Sequence, residues 1–247
     1  VETVIYCEMK DNQKSKYNEL MNFYRTQLLE GPNKNIKSDK NHIQILQALM
    51  SLRQICCHPD LMAKKEASPE TDFADSGKLE TLMSMLEEVC AEGHKALVFS
   101  QFTSMLAIIR AWLDKVGIPY CYLDGSTPMN HRQKQVDQFQ NDPNIKIFLI
   151  SLKAGGVGLN LTAADYVFIY DPWWNPAVEA QAIDRTHRIG QTKKIFSYRL
   201  ITKDTIEEKV QLLQKSKKKL AKDVIDDDGD GVPTAITKKD LQSLFML

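Results

Sequence analysis

No run in this 247-residue sequence is long and apolar enough to cross a membrane. Its start lacks the layout of a secretory leader. It opens abruptly at Val1 with no methionine, as expected of a piece cut from a larger protein. Cysteine is scarce: five residues at irregular spacings argue against a disulfide framework, and the odd count leaves at least one thiol free. Net charge is also missing, because 32 basic and 32 acidic residues cancel. That removes any global pull toward polyanions, so a nucleic-acid contact has to come from a local patch. Two further absences concern nucleotides. No G-x-x-x-x-G-K-S/T occurs, since Gly77-Lys78 is followed by Leu79 and residues 70–76 hold no glycine. No Asp-Glu pair is available to hold magnesium. What remains is an ordinary composition, 43% hydrophobic and 26% charged, which excludes a disordered or fibrous chain. The protein is expected to be soluble and intracellular.

The pattern divides the chain into four stretches. Residues 1–65 form a mainly helical N-terminal segment: a short strand over Val1–Glu8, then helical spacing over Lys14–Leu29 and again over His42–Cys57. Cys56, Cys57 and His58 have no second Cys/His pair at metal-ligand spacing, so a packed helix end is the better reading. Residues 66–77 are a polar linker. Residues 78–222 alternate strands and helices. Strands are predicted at Lys95–Phe99, Ile118–Leu123, Ile145–Ile150, Tyr166–Tyr170 and Ile195–Ile201. Ser76 can cap a helix to about Ala91, Gly117 stops one that starts at Phe102, and Pro128 can open one to Phe139. Such alternation predicts an α/β fold, a parallel sheet covered by helices, whose ligands sit beyond the carboxyl ends of the strands. Residues 223–247 are an acidic turn and a final helix. Asp226, Asp228, Asp230 and Gly231 match the start of a calcium loop, but Thr237 stands where a glutamate should close it.

Chemistry-bearing residues gather at those carboxyl ends. Asp124-Gly125-Ser126-Thr127 places two hydroxyls and turn amides ahead of a helix N-terminus, which suits a phosphodiester oxygen or a plain capped turn equally. Lys153 to Asn160 packs Gly155, Gly156 and Gly158 into four positions, the composition of a ligand loop but not of a dinucleotide fingerprint. Trp173 and Trp174 follow a strand; two in succession cannot both point inward, so one is expected to meet solvent or a partner. Gln181, Arg185 and Arg188 stand four and then three residues apart, on one face of a helix entered at Asn175-Pro176. Adjacent guanidinium groups repel and call for an anion, and their rigid forks suit phosphate. The chain therefore offers arginines for a phosphate but no cradle: half a nucleotide site.

In order along the chain, Leu52 to Pro59, Ser76-Gly77-Lys78-Leu79, Val98 to Phe102, Asp124 to Thr127, Lys153 to Leu161, Trp174-Asn175-Pro176 and Gln181 to Gln191 resemble the motifs of Swi/Snf-type ATPases of helicase superfamily 2. What they resemble is the C-terminal RecA-like lobe with a preceding helical insertion, a parallel sheet with helices on both faces. The resemblance implies a double-stranded DNA translocase in which ATP binds between two lobes. Arg185 and Arg188 are then the phosphate-contacting arginines, and Gly156, Gly158, Asn160 and Gln181 lie near the nucleotide. Ser100, Gln101, Ser126, Thr127, Arg132 and Trp174 match DNA-facing positions. The partners implied are double-stranded DNA and the first lobe of the same protein, in the bacterial nucleoid or a nucleus. That first lobe would hold Mg2+, and without it the fragment is expected to be inactive. A stand-alone nucleic-acid module or an RNA-helicase lobe is the alternative; Gln191, where RNA helicases usually carry arginine, favours the DNA reading.

Overall fold

The computed structural model describes residues 2–29, 39–63, 67–68, 70–155, 159–172, 179–180, 194–225 and 243–245. Their elements run β1 (Glu2–Cys7), α1 (Asp11–Leu29), α2 (Asp39–Cys57), α3 (Pro59–Ala63), a 3₁₀ turn (Phe73–Asp75), α4 (Gly77–Ala91), β2 (Ala96–Ser100), α5 (Thr103–Val116), β3 (Tyr120–Leu123), α6 (Met129–Asn141), β4 (Ile147–Ser151), α7 (Leu152–Gly155), β5 (Tyr166–Ile169), β6 (Phe196–Thr202) and α8 (Ile206–Ile225). The six strands form one sheet in the order β1-β6-β5-β2-β4-β3, and every neighbouring pair is parallel.

All five residues of β2 and of β4 are buried, as an apolar run covered on both sides requires. Alternate residues feed two cores. Val98, Leu149 and Phe168 meet α4 and α5 on one face, whereas Phe99, Ile150 and Val167 meet α6 and α7 on the other. The local signals work as the sequence implies. Ser76 Oγ accepts from Leu79 N at 3.2 Å to cap α4, and Gly117 ends α5 at φ 72°. Pro128 proves to be the N-cap of α6 rather than its first helical residue. A short helix, α7, stands where the sequence predicts only loop.

The N-terminal segment builds a third core in which Tyr17, Leu49 and Leu52 pack with Ile206, Val210, Leu244 and Phe245. Its β1, within the segment read as mainly helical, is an edge strand of the same sheet, with Glu2 opposite Ser197 and Cys7 opposite Thr202. The last carbonyls of a helix have no partner within it, and in α2 other elements supply them. Gln13 Nε2 donates to Ile55 O at 2.8 Å, Thr202 Oγ1 to Cys56 O at 3.2 Å, and both Ser76 Oγ (2.7 Å) and Tyr170 Oη (2.8 Å) to Cys57 O. Cys56 and Cys57 are fully buried in this joint. Burial pushes the Cys57 thiol well up. His58 Nδ1 accepts from Asp60 N at 3.2 Å and Nε2 faces Asp72 O at 3.1 Å, which fixes a neutral ring with its proton on Nε2.

A buried ion pair completes the joint. Lys78 Nζ lies 2.7 Å from Glu207 Oε1, both side chains are out of solvent, and Thr202 N donates to Glu207 Oε2 at 2.8 Å. Burial alone would lower the Lys78 ammonium; the Glu207 carboxylate outweighs it and keeps the lysine charged. Gly77 beside it has no room for a side chain, since a β-carbon would sit 1.9 Å from Glu8 O.

Candidate functional site

Beyond β3 the chain makes a tight turn around one carboxylate. Asp124 Oδ1 accepts from Ser126 N (2.8 Å), Ser126 Oγ (2.6 Å) and Thr127 Oγ1 (3.3 Å), while Oδ2 accepts from Tyr122 Oη at 2.7 Å. Burial would raise the Asp124 carboxyl, but these donors prevail and hold it below the usual carboxylate range. Arg132 reaches back from α6 to donate to Thr127 O at 2.8 Å and to Asp124 O and Gly125 O at 3.3 Å. The sequence left open whether this was a ligand turn or a capped turn. Its hydroxyl protons are used internally, so what it presents outward is exposed Ser126 and the N-terminus of α6, which has no side-chain cap.

Beyond β2 and β5, two loops meet. Their backbone ladder ends where Tyr170 N donates to Phe99 O at 2.9 Å. Past that point a side chain takes over: Asp171 Oδ2 accepts from Gln101 N at 3.0 Å. Arg53 of α2, only 3% exposed, fills the space between them. Its Nη2 donates to Pro172 O at 2.8 Å and stands 3.5 Å from Asp171 O and 3.8 Å from Asp171 Oδ2. The Gln101 amide, oriented so that donor does not face donor, accepts from Nη1 at 2.5 Å and Nη2 at 2.6 Å. Asp171 is fully buried, and its Oδ1 has no hydrogen-bond partner among the described residues. Burial pushes its carboxyl up to about 6, although Arg53 pulls the other way.

Ser100 needs correction. The resemblance implied a DNA-facing residue, but its side chain is fully buried and its Oγ accepts from Phe102 N at 3.1 Å. It shapes the loop and cannot touch a ligand there. Gln101 is half-buried, Thr127 and Arg132 likewise, and Asn160 is exposed. Gly155 also departs from the ligand-loop reading: a β-carbon on it would meet the Phe99 ring at 2.9 Å, so packing already requires that glycine. Gly156, Gly158, Trp173, Trp174, Gln181, Arg185 and Arg188 lie outside the described residues, as does the acidic turn at 226–237. At the start of the arginine stretch, Glu179 is buried and accepts from Arg199 Nε at 2.8 Å. Among the described residues no three His, Cys, Asp or Glu side chains cluster as a metal site.

Reading residues by type overlooked the parts played by Arg53, Asp171, Lys78 and Glu207. The signal was present. Arg53 continues the Ile45, Leu49 stripe at four-residue spacing, and Lys78 stands four before Leu82 on the buried face of α4. A cation on an apolar stripe is buried, and a buried cation has a partner.

A six-stranded parallel sheet with this order, and loops of polar residues collected at its carboxyl edge, define a RecA-like lobe of the helicase type. The model of the helicase conserved C-terminal domain matches residues 77–190, and that of the SNF2-related domain matches residues 1–61. The chain belongs to the Swi/Snf-type ATPases of helicase superfamily 2, as their C-terminal lobe. The C-terminal domain of the Sulfolobus solfataricus SWI2/SNF2 ATPase is 31% identical, with a TM-score of 0.74 over 99% of this chain and 97% of that one. The same ATPase core solved with double-stranded DNA gives a TM-score of 0.78 at 32% identity, covering 99% of this chain and 49% of that chain. Lymphoid-specific helicase of Homo sapiens is 42% identical over 197 residues, 77% of this chain but only 23% of that protein. The chain thus spans less than a quarter of that curated relative.

Proposed function

We propose that this chain is one half of an ATP-dependent motor that moves along double-stranded DNA. Arg185 and Arg188 act as its arginine fingers. Gly156, Gly158, Asn160 and Gln181 line the nucleotide, while ATP's magnesium is held by the first lobe. Gln101, Ser126, Thr127, Arg132 and Trp174 form part of the DNA track, with Ser100 as a support beneath it. One observation supports this reading: in a member of this ATPase family, Gln101 and the Ser126 turn directly follow the carboxyl ends of β2 and β3 in one parallel sheet. What that edge presents outward, exposed Ser126 and the uncapped amides at the start of α6, suits phosphates rather than base edges, so binding should be sequence-tolerant and salt-sensitive. The lone lobe is inactive because the charge on the transferring phosphoryl group is not offset without the other half of the site. Relatives include a remodelling ATPase and a DNA-repair protein, which fits a DNA-associated location.

The test is Arg188→Lys in the intact two-lobe protein. Lysine keeps the charge and loses the fork, so kcat should fall by at least roughly 10²-fold, the low side of what arginine fingers supply. DNA affinity and thermal stability should stay near wild type. A variant that turns over normally, or one that unfolds, returns Arg188 to an ordinary structural role.

A further inference from the structure

The loops after β2 and β5 are held by something other than the sheet. Backbone pairing between these strands gives out at Phe99 and Tyr170. Beyond it, the spacing of the loops is set by the Asp171 carboxylate, which holds the Gln101 amide, and by the Arg53 guanidinium, which holds Pro172 O, Asp171 O and the Gln101 side chain. The Arg53 guanidinium also lies 5.6 Å from the centre of the Phe102 ring. Arg53 belongs to neither loop. It comes from α2, in the insertion, so one buried residue of a different substructure bridges two neighbouring turns. Only a planar fork reaches acceptors in these directions at once.

Stability is a poor reason for such an arrangement. A buried ion pair is often no more stabilising than well-packed apolar residues of the same volume. This one also leaves Asp171 Oδ1 without a partner among the described residues. We propose that Arg53 is a positioning residue through which the helical insertion fixes the gap between the Gln101 loop and the Asp171–Pro172 loop, and thereby sets how tightly the lobe grips the DNA backbone. The inference rests on the reading of these loops as DNA-facing. Arg53 itself is buried and touches no ligand; it acts through Gln101 and through the chain that leads to Trp174.

The experiment measures DNA-stimulated ATP hydrolysis of the intact two-lobe protein with duplex DNA of one length, comparing wild type with Arg53→Lys. Expected is a rise of about tenfold in the DNA concentration that gives half-maximal stimulation, the size of a positional coupling effect. The kcat at saturating DNA should fall less than twofold. If Arg53→Lys does not fold, Arg53→Met/Asp171→Asn, which leaves no buried charge unmatched, takes its place with the same expectation. A folded variant with an unchanged half-maximal concentration overturns the proposal. So does a parallel fall of kcat, DNA response and melting temperature, the mark of a merely structural residue. A wild-type protein that DNA does not stimulate at all brings down the DNA reading itself, and does so before any variant is compared.

Discussion

Two buried ion pairs join the insertion and the flanking helices to the sheet, and they are built to different standards. Lys78 and Glu207 touch at 2.7 Å, and Thr202 N takes up the second carboxylate oxygen. Arg53 and Asp171 stand 3.8 Å apart, and among the described residues Asp171 Oδ1 has no hydrogen bond of good geometry. The first pair is finished and the second is not. A finished pair holds elements in one arrangement, because every alternative leaves a charge buried alone. A less complete pair contributes less to stability, which fits the positioning role proposed for Arg53. The difference teaches that two ion pairs equally out of solvent can be satisfied to different degrees.

Breaking the finished pair should have the largest effect. Lys78→Met strands the Glu207 carboxylate and should cost about 3–5 kcal/mol in denaturant unfolding of the intact protein. Replacing both partners, Lys78→Met/Glu207→Leu, should recover most of that loss. A single variant as stable as wild type would erase the contrast.

The unfinished pair should reveal itself through pH. The Asp171 carboxyl rises from 3.8 in the unfolded chain to about 6 in the fold, so the folded state takes up its proton first as the solution is acidified. The stability gained by protonation is fully present below about pH 4 and is lost as pH rises through about 6. Relative to Asp171→Asn, the wild type should therefore lose about 2–3 kcal/mol between pH 4 and pH 7. Parallel stability profiles would show that the carboxylate is as well satisfied as Glu207.

Much of this was legible beforehand, and the reasons it was can be stated. The strands of the lobe announced themselves as short apolar runs between glycine and proline signals. Ser76 and Gly117 marked helix ends because capping needs only neighbouring residues. The carboxyl-edge loops followed from the parallel sheet. What escaped was long-range. Nothing near Glu2–Cys7 shows that it pairs with Phe196–Thr202, and nothing near Arg53 names Asp171 as its neighbour. Ser100 shows the converse error: a motif position suggested contact, whereas burial at the last residue of a central strand made it a support.

Smaller changes sharpen the contrast from the fastening side. Gly77→Ala should destabilise by about 1–3 kcal/mol, because the added carbon meets a backbone carbonyl of the β1–α1 connection that cannot simply rotate away. Ser76→Ala removes a helix cap and a donor to Cys57 O, and should cost about 1 kcal/mol. Both effects should appear in melting temperature and leave the DNA concentration for half-maximal stimulation alone. Any change there would mean that the joint and the edge proposed to meet DNA are mechanically one.

The sheet order also dictates a sequence in time. Among the described residues β1 has a single neighbour, β6, and about 195 residues of synthesis separate Glu2 from Ser197. At ribosomal speeds of about 5–20 residues per second, that is a wait of roughly ten to forty seconds. Helices α1 and α2 can form in that interval from local contacts, but β1 waits that long for β6. Loop-closure entropy makes this the most demanding pairing in the sheet. A nascent chain stalled before Phe196 would carry a solvent-facing strand looking for any partner, the condition under which chains associate with one another rather than with themselves.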